Sequence, residues 1–407
     1  MTSRSLSFCM ATTFYPPYNF GGDGMHVYRL STELARRGHR VTVVYSVSAY
    51  TALAEMHPTE AYEMVPGITL RPIAGLPGPL RPLATYLSGR PALNARALAE
   101  VFRERFDVIH FHNVSLLGGP GILSYGDAIK LYTTNEHWLV CPMHVLWKNN
   151  REPCYEPHCL RCTLAFRRPP QLWRYTNLLE RQLANVDVFL SPSRFTIRAH
   201  HERGFSRPIK HLPYFLPVSD TLASQLSPET SSRPYFLFVG RLEKLKGVQT
   251  LIERFRHYRE ADLLIAGEGG YARELRRLAR GVDNIRFLGR VHPKALPPLY
   301  ANAIALLVPS IGFEVFGIVI LEAFAQKTPA IVRDLGALPE VVSESGGGYV
   351  YRTEEELTEA MEGLRLDREL RDRLGSRGHE TWLARWSEQP HFEEYFSAIE
   401  EARALAP

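Results

Sequence analysis

Two cations stand five residues apart in the segment Gly240-Arg241-Leu242-Glu243-Lys244-Leu245-Lys246-Gly247. Arg241 offers a planar, bidentate fork and Lys246 a compact point charge. Such a pair suits a diphosphate that gathers negative charge as it leaves. A second segment, Gly312 to Glu322, carries Glu314 and Glu322 eight residues apart. Carboxylates accept hydrogen bonds from vicinal hydroxyls, so Glu314 suits a sugar and Glu322 a ribose. Between them Phe316-Gly317-Ile318 opens a helical pattern whose first N–H groups could meet phosphate. Near the amino terminus, Gly21-Gly22-Asp23-Gly24 lacks the Cβ atoms that would block a phosphate from the backbone, although a tight strand-to-helix turn needs the same residues.

Four of the five cysteines, Cys141, Cys154, Cys159 and Cys162, fall within one short stretch. Their spacing, C-x12-C-x4-C-x2-C, could enclose a tetrahedral ion in a reducing compartment. A structural zinc is the first expectation, metal-free thiols the second, and an iron–sulfur cluster the third. His144 and His158 are reserve ligands. The flanking residues, about 139–170, read as a charged, proline-containing insertion that a metal would pin beside a cleft. Cys9, in an apolar run, reads as a small buried residue.

The elements that must position these groups alternate between strand and helix. Leu6 to Phe14, the glycine loop, a periodic segment with Val27, Leu30 and Leu34 on one face, and Val41 to Tyr45 form a βαβ opening. Buried parallel strands are expected at Val108 to His112, Ala128 to Thr133 and Val186 to Ser191, and after residue 234 at Tyr235 to Val239, Leu263 to Ala266, Ile285 to Leu288, Ala305 to Val308 and Ala330 to Val332. The fold class is therefore α/β, with two doubly wound Rossmann-like domains facing across a cleft. The expected division is 1–215 for the first domain, 216–234 for a Ser/Thr/Pro-rich linker, 235–380 for the second domain and 381–407 for an aromatic terminal helix that either crosses back to the first domain or packs on its own. Ligands in such sheets bind beyond the carboxyl ends of the strands.

Two such domains with a glycine loop could hold a dinucleotide, but Gly22 and Gly24 are followed by Val27, and Tyr45-Ser46-Val47-Ser48 supplies no acid for a ribose. The NAD reading fails there. With a formal charge of +5 over 407 residues, the chain is too mildly basic to argue for nucleic acid. Its Arg276, Arg277 and Arg280 and its Arg167, Arg168 and Arg174 read first as solvated helix faces and second as contacts to lipid headgroups. The amino terminus has no signal-peptide run and no stretch reaches a membrane span. The expectation is a cytoplasmic protein, with peripheral contact at the inner membrane face as an option.

In their order along the chain, the Gly21-Gly22 loop, G-R-L-x-x-x-K-G at Gly240 to Gly247, Gly267-Glu268-Gly269 and E-x7-E from Glu314 to Glu322 resemble the GT-B glycosyltransferases of the retaining family 4. The resemblance implies a nucleotide-diphosphate sugar donor, with Arg241 and Lys246 on the diphosphate, Glu314 on the donor sugar and Glu322 on the ribose. Gly21, Gly22, Gly240, Gly267, Glu268, Phe316, Gly317 and Ile318 are donor-binding by the same analogy. It also implies retention of anomeric configuration without a catalytic metal, in keeping with the absence of any Asp-x-Asp. The acceptor, whether glycan, lipid-linked sugar or small molecule, is left open.

Members with a related first domain carry His-Asp-aromatic-Trp before Cys-Pro, where this chain reads Asn135-Glu136-His137-Trp138-Leu139-Val140-Cys141-Pro142. Asn135 falls where the histidine would stand and can hydrogen-bond a sugar hydroxyl but cannot exchange a proton, so either this position only orients the sugar or Glu136 or His137, the favoured candidates near the acceptor, has taken the role. His110 and His112 are expected on opposite strand faces, one of them, with Asn135, bordering the cleft. A nucleotide-sugar-binding protein without turnover and a sugar-nucleotide epimerase on the same scaffold are the competing readings.

Overall fold

The computed structural model describes residues 5–54, 58, 62–63, 65–74, 79–221 and 233–405, so most of the linker expected at 216–234 lies outside the described residues. The first half of the chain forms strands β1 (Ser7–Ala11), β2 (Arg40–Ser46), β3 (Ile68–Ile73), β4 (Val108–Phe111), β5 (Ile129–Thr133), β6 (Trp147–Lys148), β7 (Glu152–Pro153), β8 (Val188–Ser191) and β9 (Ile209–His211). Seven of these build one parallel sheet in the order β3-β2-β1-β4-β5-β8-β9, and β6 and β7 pair as a separate antiparallel ribbon inside the cysteine-rich insertion. The second half contributes β10 (Tyr235–Val239), β11 (Asp262–Ala266), β12 (Ile285–Gly289), β13 (Leu306–Val308), β14 (Ala330–Arg333) and β15 (Gly348–Tyr351), a parallel sheet ordered β12-β11-β10-β13-β14-β15.

The central strands are largely apolar and buried, because helices cover both sheet faces and leave no solvated side for alternation. Phe8 to Ala11 and Leu263 to Ile265 are each at most 1% exposed. One face of the first sheet buries Ile109, Phe111, Tyr132 and Trp138, the other Phe8, Met10, Val43 and Leu131.

The terminal helix Glu388–Leu405 supplies Phe392, Tyr395 and Ile399 to that second face, whereas Trp382 and Trp386, just before it, belong to the core of the second sheet with Leu321 and Phe324. The chain thus returns to the first sheet after completing the second. The crossing is fastened at Leu216, whose N–H donates to the Trp386 carbonyl at 2.9 Å and whose carbonyl accepts from the Trp382 indole Nε1 at 3.2 Å.

Strand order reverses between β1 and β4 in one sheet and between β10 and β13 in the other. At such a point the connections diverge to opposite faces and leave a crevice above the strand ends. The loop after β1 carries Gly21 and Gly22, the loop after β10 carries Arg241 and Lys246, and the loop after β13 carries Glu314.

Candidate functional site

Tight backbone geometry sets the donor-side loops. Gly247 has φ +76°, and a Cβ there would lie 2.0 Å from the Pro309 carbonyl oxygen. A glycine is therefore required to end the Lys244–Lys246 turn against the β13 loop. Gly267 packs so closely on Gly240 that a Cβ would stand 1.8 Å from its carbonyl oxygen. Arg241, Lys246 and Glu314 are held by this packing.

Lys246 Nζ donates to Glu314 Oε1 at 2.7 Å and Oε2 at 2.9 Å, and Ser310 Oγ donates to Oε1 at 2.7 Å. Burial pushes the Glu314 carboxyl pKa up, but Lys246, its hydrogen bonds, Ser310 and Arg241 together bring it below the ordinary carboxylate value. Glu314 is an anion here. Arg241 pairs with Glu243 at 2.8 Å and keeps about half of its side chain in solvent.

Across the cleft, the Gly21-Gly22 loop meets these groups. A Cβ on Gly21 would stand 3.3 Å from Arg241 Nε, and one on Gly22 3.8 Å from Ile318 Cδ1. Gly317, with φ +103°, caps the helix Ile318–Ala325 without a side-chain bond; Ile320 N–H donates back to the Gly317 carbonyl at 2.9 Å, which leaves the N–H groups of Ile318 and Val319 to meet an anion in the same crevice. Phe316 is 3% exposed and packs its ring on Tyr214 at 5.5 Å. Glu268 stands by the β12 end, its Oε1 3.8 Å from a Cβ built on Gly289.

Glu322 is engaged on two sides: Tyr300 Oη donates to Oε2 at 2.9 Å, and Arg29 Nη2 to Oε1 at 3.2 Å. Arg29 comes from the first domain's helix Gly22–Arg36 and also bonds Asp220 at 2.9 Å. These groups border a cavity of ≈ 510 Å³ between the domains, with Tyr28, His292 and Lys294 on its wall. Sequence reasoning missed Arg29, Ser310 and Tyr300. Arg29 lies off the Val27, Leu30 and Leu34 face of its helix, where an arginine reads as solvated, and the other two carry no spacing signal.

In the first domain, Asn135 is 5% exposed, contacting His112 Nδ1 through Nδ2 at 3.1 Å and accepting from Tyr214 Oη at 2.9 Å. Expecting His110 and His112 on opposite faces was wrong. Residues two apart on a strand share a face, and the two rings lie with centroids 4.0 Å apart. His110 bonds Tyr395 Oη at 3.0 Å and Thr133 Oγ1 at 2.7 Å. Burial holds both histidines well below their ordinary pKa, so they are neutral.

Glu136 hydrogen-bonds His144 Nδ1. Burial raises its carboxyl pKa against the pull of that histidine, and Asp23 of the glycine loop is near enough to add to the rise. His137 is 1% exposed and stacks on His200 with centroids 5.7 Å apart, turned toward the helix Arg194–His201. The structure thus groups Asn135 with His112 and pairs Glu136 with His144, while the His137 ring turns away from both and only its backbone N–H, donating to the His144 carbonyl at 3.0 Å, joins the second group.

Cys141, Cys154 and Cys162 are buried with Met143, Leu146 and Ala199, and Cys159 is half-buried at the start of the adjoining helix Cys159–Ala165. Burial lifts the Cys141 thiol to about 11. Among the described residues no three His, Cys, Asp or Glu side chains converge on a point that could hold a metal ion. The insertion nevertheless reaches the site, with Tyr155 edge-on to Phe313 at 5.5 Å, next to Glu314.

Residues 20–218 match the family described as Glycosyltransferase Family 4, and residues 222–381 match Glycosyl transferases group 1. Between them they span most of the chain. The chain is a glycosyltransferase of the family 4 type, built on the GT-B fold.

An uncharacterized glycosyltransferase of Methanocaldococcus jannaschii is 26% identical, covering 85% of each chain. Phosphatidyl-myo-inositol mannosyltransferase of Mycobacterium leprae is also 26% identical, over 89% of this chain and 90% of that one. Among solved structures, sucrose-phosphate synthase of Thermosynechococcus elongatus superposes with a TM-score of 0.73 at 18% identity, covering 99% of this chain and 100% of that one. Anabaena HepE in complex with UDP-glucose does so with 0.67 at 16% identity, covering 98% and 100%. No helix among the described residues is long and apolar enough to cross a membrane.

Proposed function

We propose that this glycosyltransferase moves a sugar from a nucleoside diphosphate to an acceptor hydroxyl with retention of configuration. The observation that carries the reading is the convergence of Arg241, the Lys246–Glu314 pair and the amino end of helix Ile318–Ala325 on the Gly21-Gly22 loop. A diphosphate fits that crevice, bounded by a guanidinium, an ammonium and orphan backbone N–H groups. The binding of UDP-glucose by the structural neighbour HepE supports a nucleotide-sugar donor.

In this scheme Arg241 and Lys246 take up the charge that develops on the leaving diphosphate, which is where electrostatic catalysis acts most strongly. Glu314, fixed by Lys246 and Ser310, accepts hydrogen bonds from the donor sugar, and Glu322 from the ribose. The departing phosphate itself accepts the acceptor proton on the same face, so no carboxylate nucleophile is needed. Asn135 orients hydroxyl groups, and Glu136, its pKa raised by burial, lines the acceptor side.

The test is release of nucleoside diphosphate from a panel of UDP-, GDP- and ADP-sugars with and without candidate acceptors, with the product's anomeric configuration read by NMR. Release only with acceptor and a retained anomer support the reading. Acceptor-independent conversion of the donor points to an epimerase, and an inverted anomer rejects the same-face mechanism.

A further inference from the structure

We propose that the first domain carries a docking face for an anionic bilayer, built from residues 79–99 and 157–179. These two segments hold eight of the fourteen large hydrophobic side chains exposed among the described residues. They also hold seven arginines and no aspartate or glutamate. On helix Leu80–Ser88, Leu80 is 67%, Leu83 39% and Leu87 44% exposed, while Pro82, Thr85 and Tyr86 face inward. Leu93, Leu172 and Tyr175 extend the apolar surface at 58%, 67% and 66% exposed.

The two segments form one surface. Trp173 Nε1 donates to the Tyr86 carbonyl at 2.9 Å, and Gly89 lies so close to the Trp173 ring that a Cβ there would be 2.8 Å away. Leu160 and Tyr175 share a cavity of ≈ 270 Å³ with Arg174, so the helix Cys159–Ala165, with Leu160 and Leu164 exposed, adjoins the same face.

Leucines amid arginines, with the acids Glu100 and Glu180 at the rim and Glu180 paired with Arg207 at 3.4 Å, match the boundary between acyl chains and negatively charged headgroups, where arginine stems reach through apolar surface to phosphate. Arg90, Arg161 and Arg167 are exposed, and Arg96 lies 3.5 Å from Glu100 at the rim. The arginines of the second domain are placed differently, Arg277 bonding Glu274 through two nitrogens. Behind the face, Arg174 donates to the Trp138 and Leu139 carbonyls, which places the Asn135 to Trp138 loop just inside it. Docking would present that loop to an acceptor held in the bilayer, a point that rests on the glycosyltransferase assignment.

The test is co-sedimentation of the full chain with extruded vesicles of phosphatidylglycerol and phosphatidylcholine, against vesicles of phosphatidylcholine alone, with no donor or acceptor present. Binding at least tenfold tighter to the anionic vesicles, weakened by salt, is expected. Leu80→Ser/Leu83→Ser/Leu87→Ser should lose at least tenfold, and Arg90→Gln/Arg161→Gln/Arg167→Gln about fivefold per charge removed. Arg276→Gln/Arg277→Gln should bind as the parent does. Should the leucine variant fail to fold, the arginine variant carries the test alone, its circular dichroism serving as the control. Equal binding to both vesicle types, no binding, or binding unchanged by the variants would overturn the proposal. So would a lipid-free dimer, abolished by the leucine substitutions, of a chain that ignores vesicles. Transfer activity is not the readout, so failure here leaves the proposed reaction untouched.

Discussion

Lys246 donates to both carboxylate oxygens of Glu314, at 2.7 and 2.9 Å, and so ties the loop after β10 to the loop after β13. The pair is partly enclosed, with side-chain exposures of 22% and 16%. Replacing Lys246 by Ala leaves Glu314 among polar neighbours but without its ammonium. The expected loss in turnover is about 10²- to 10³-fold, the size of removing one stabilising group from a developing anion. Stability should fall by about 1–3 kcal/mol, below the cost of breaking a fully buried pair. Single-turnover kinetics and a urea titration check the two halves separately, and near-parental turnover refutes the leaving-group role.

The same pair predicts an acid limb in stability. The Glu314 carboxyl is held below its ordinary value, so its contribution is present above the unfolded carboxylate pKa and is lost as pH falls through the lower, folded one. In Lys246→Ala that contribution is gone. The variant's melting temperature should therefore approach the parent's as pH is lowered below about 4.3. A gap that stays constant down to acid denaturation would refute this.

Arg29 joins three elements, bonding Asp220 beside the crossing point and Glu322 on the helix Ile318–Ala325. Arg29→Met removes two charge-assisted bonds and leaves Glu322 with Tyr300 alone. The expected result is a donor KM raised about tenfold with kcat changed less than about threefold, since the effect reaches the ribose end and spares the reacting centre. Arg29→Lys, which keeps the charge, should recover part of the loss. A fall in kcat at unchanged KM would place Arg29 elsewhere in the mechanism.

Gly247 is locked by its φ of +76° and by the Pro309 carbonyl. Gly247→Ala must move one loop or the other, so a cost of at least about 2 kcal/mol is expected, together with a displaced Lys246. Gly270→Ala is the control, because a Cβ there meets nothing within 4 Å. Thermal melts of the two variants decide the matter, and equal effects would refute it.

The histidines of the interior predict a second pH dependence, at milder acidity. Burial holds His200 and His391 at about 4, against about 6.5 in an unfolded chain. Between those values the unfolded state binds more protons, so stability rises with pH across the window and is lost as pH falls from about 6.5 to about 4. Each histidine contributes on the order of 2–3 kcal/mol of stability summed across that window. Calorimetric melts from pH 7 to 4.5 should show this decline, shallower in His391→Gln, which keeps a polar group facing the Pro213 carbonyl. Identical slopes would rule His391 out as a source.

The two sheets were legible in the sequence wherever burial on both faces leaves a continuous apolar run, as at Cys9 to Ala11 and Leu263 to Ile265. The edge strands β3 and β15 were not legible. Arg71 and Pro72 interrupt the first, and its residues are mostly half-exposed or exposed. The second, Gly348–Tyr351, follows a run of glycines and is only partly covered. Half-solvated edges impose little composition.

Sequence alone supplied the residue types proposed to bear the chemistry, because Arg241, Lys246, Glu314 and Glu322 fall at spacings set by strand-loop-helix units. It also determined which glycines close those loops, since contacts such as that of Gly247 with Pro309 exclude any side chain. Tertiary structure alone decided which groups meet. Arg29 reaches Glu322 from 293 residues away, Asn135 turns into a buried network with His112 and Tyr214, and the four cysteine thiols do not converge as a metal site. A spacing constrains neighbours along one element, whereas the approach of side chains from two domains is set by how their cores and the crossing helix pack.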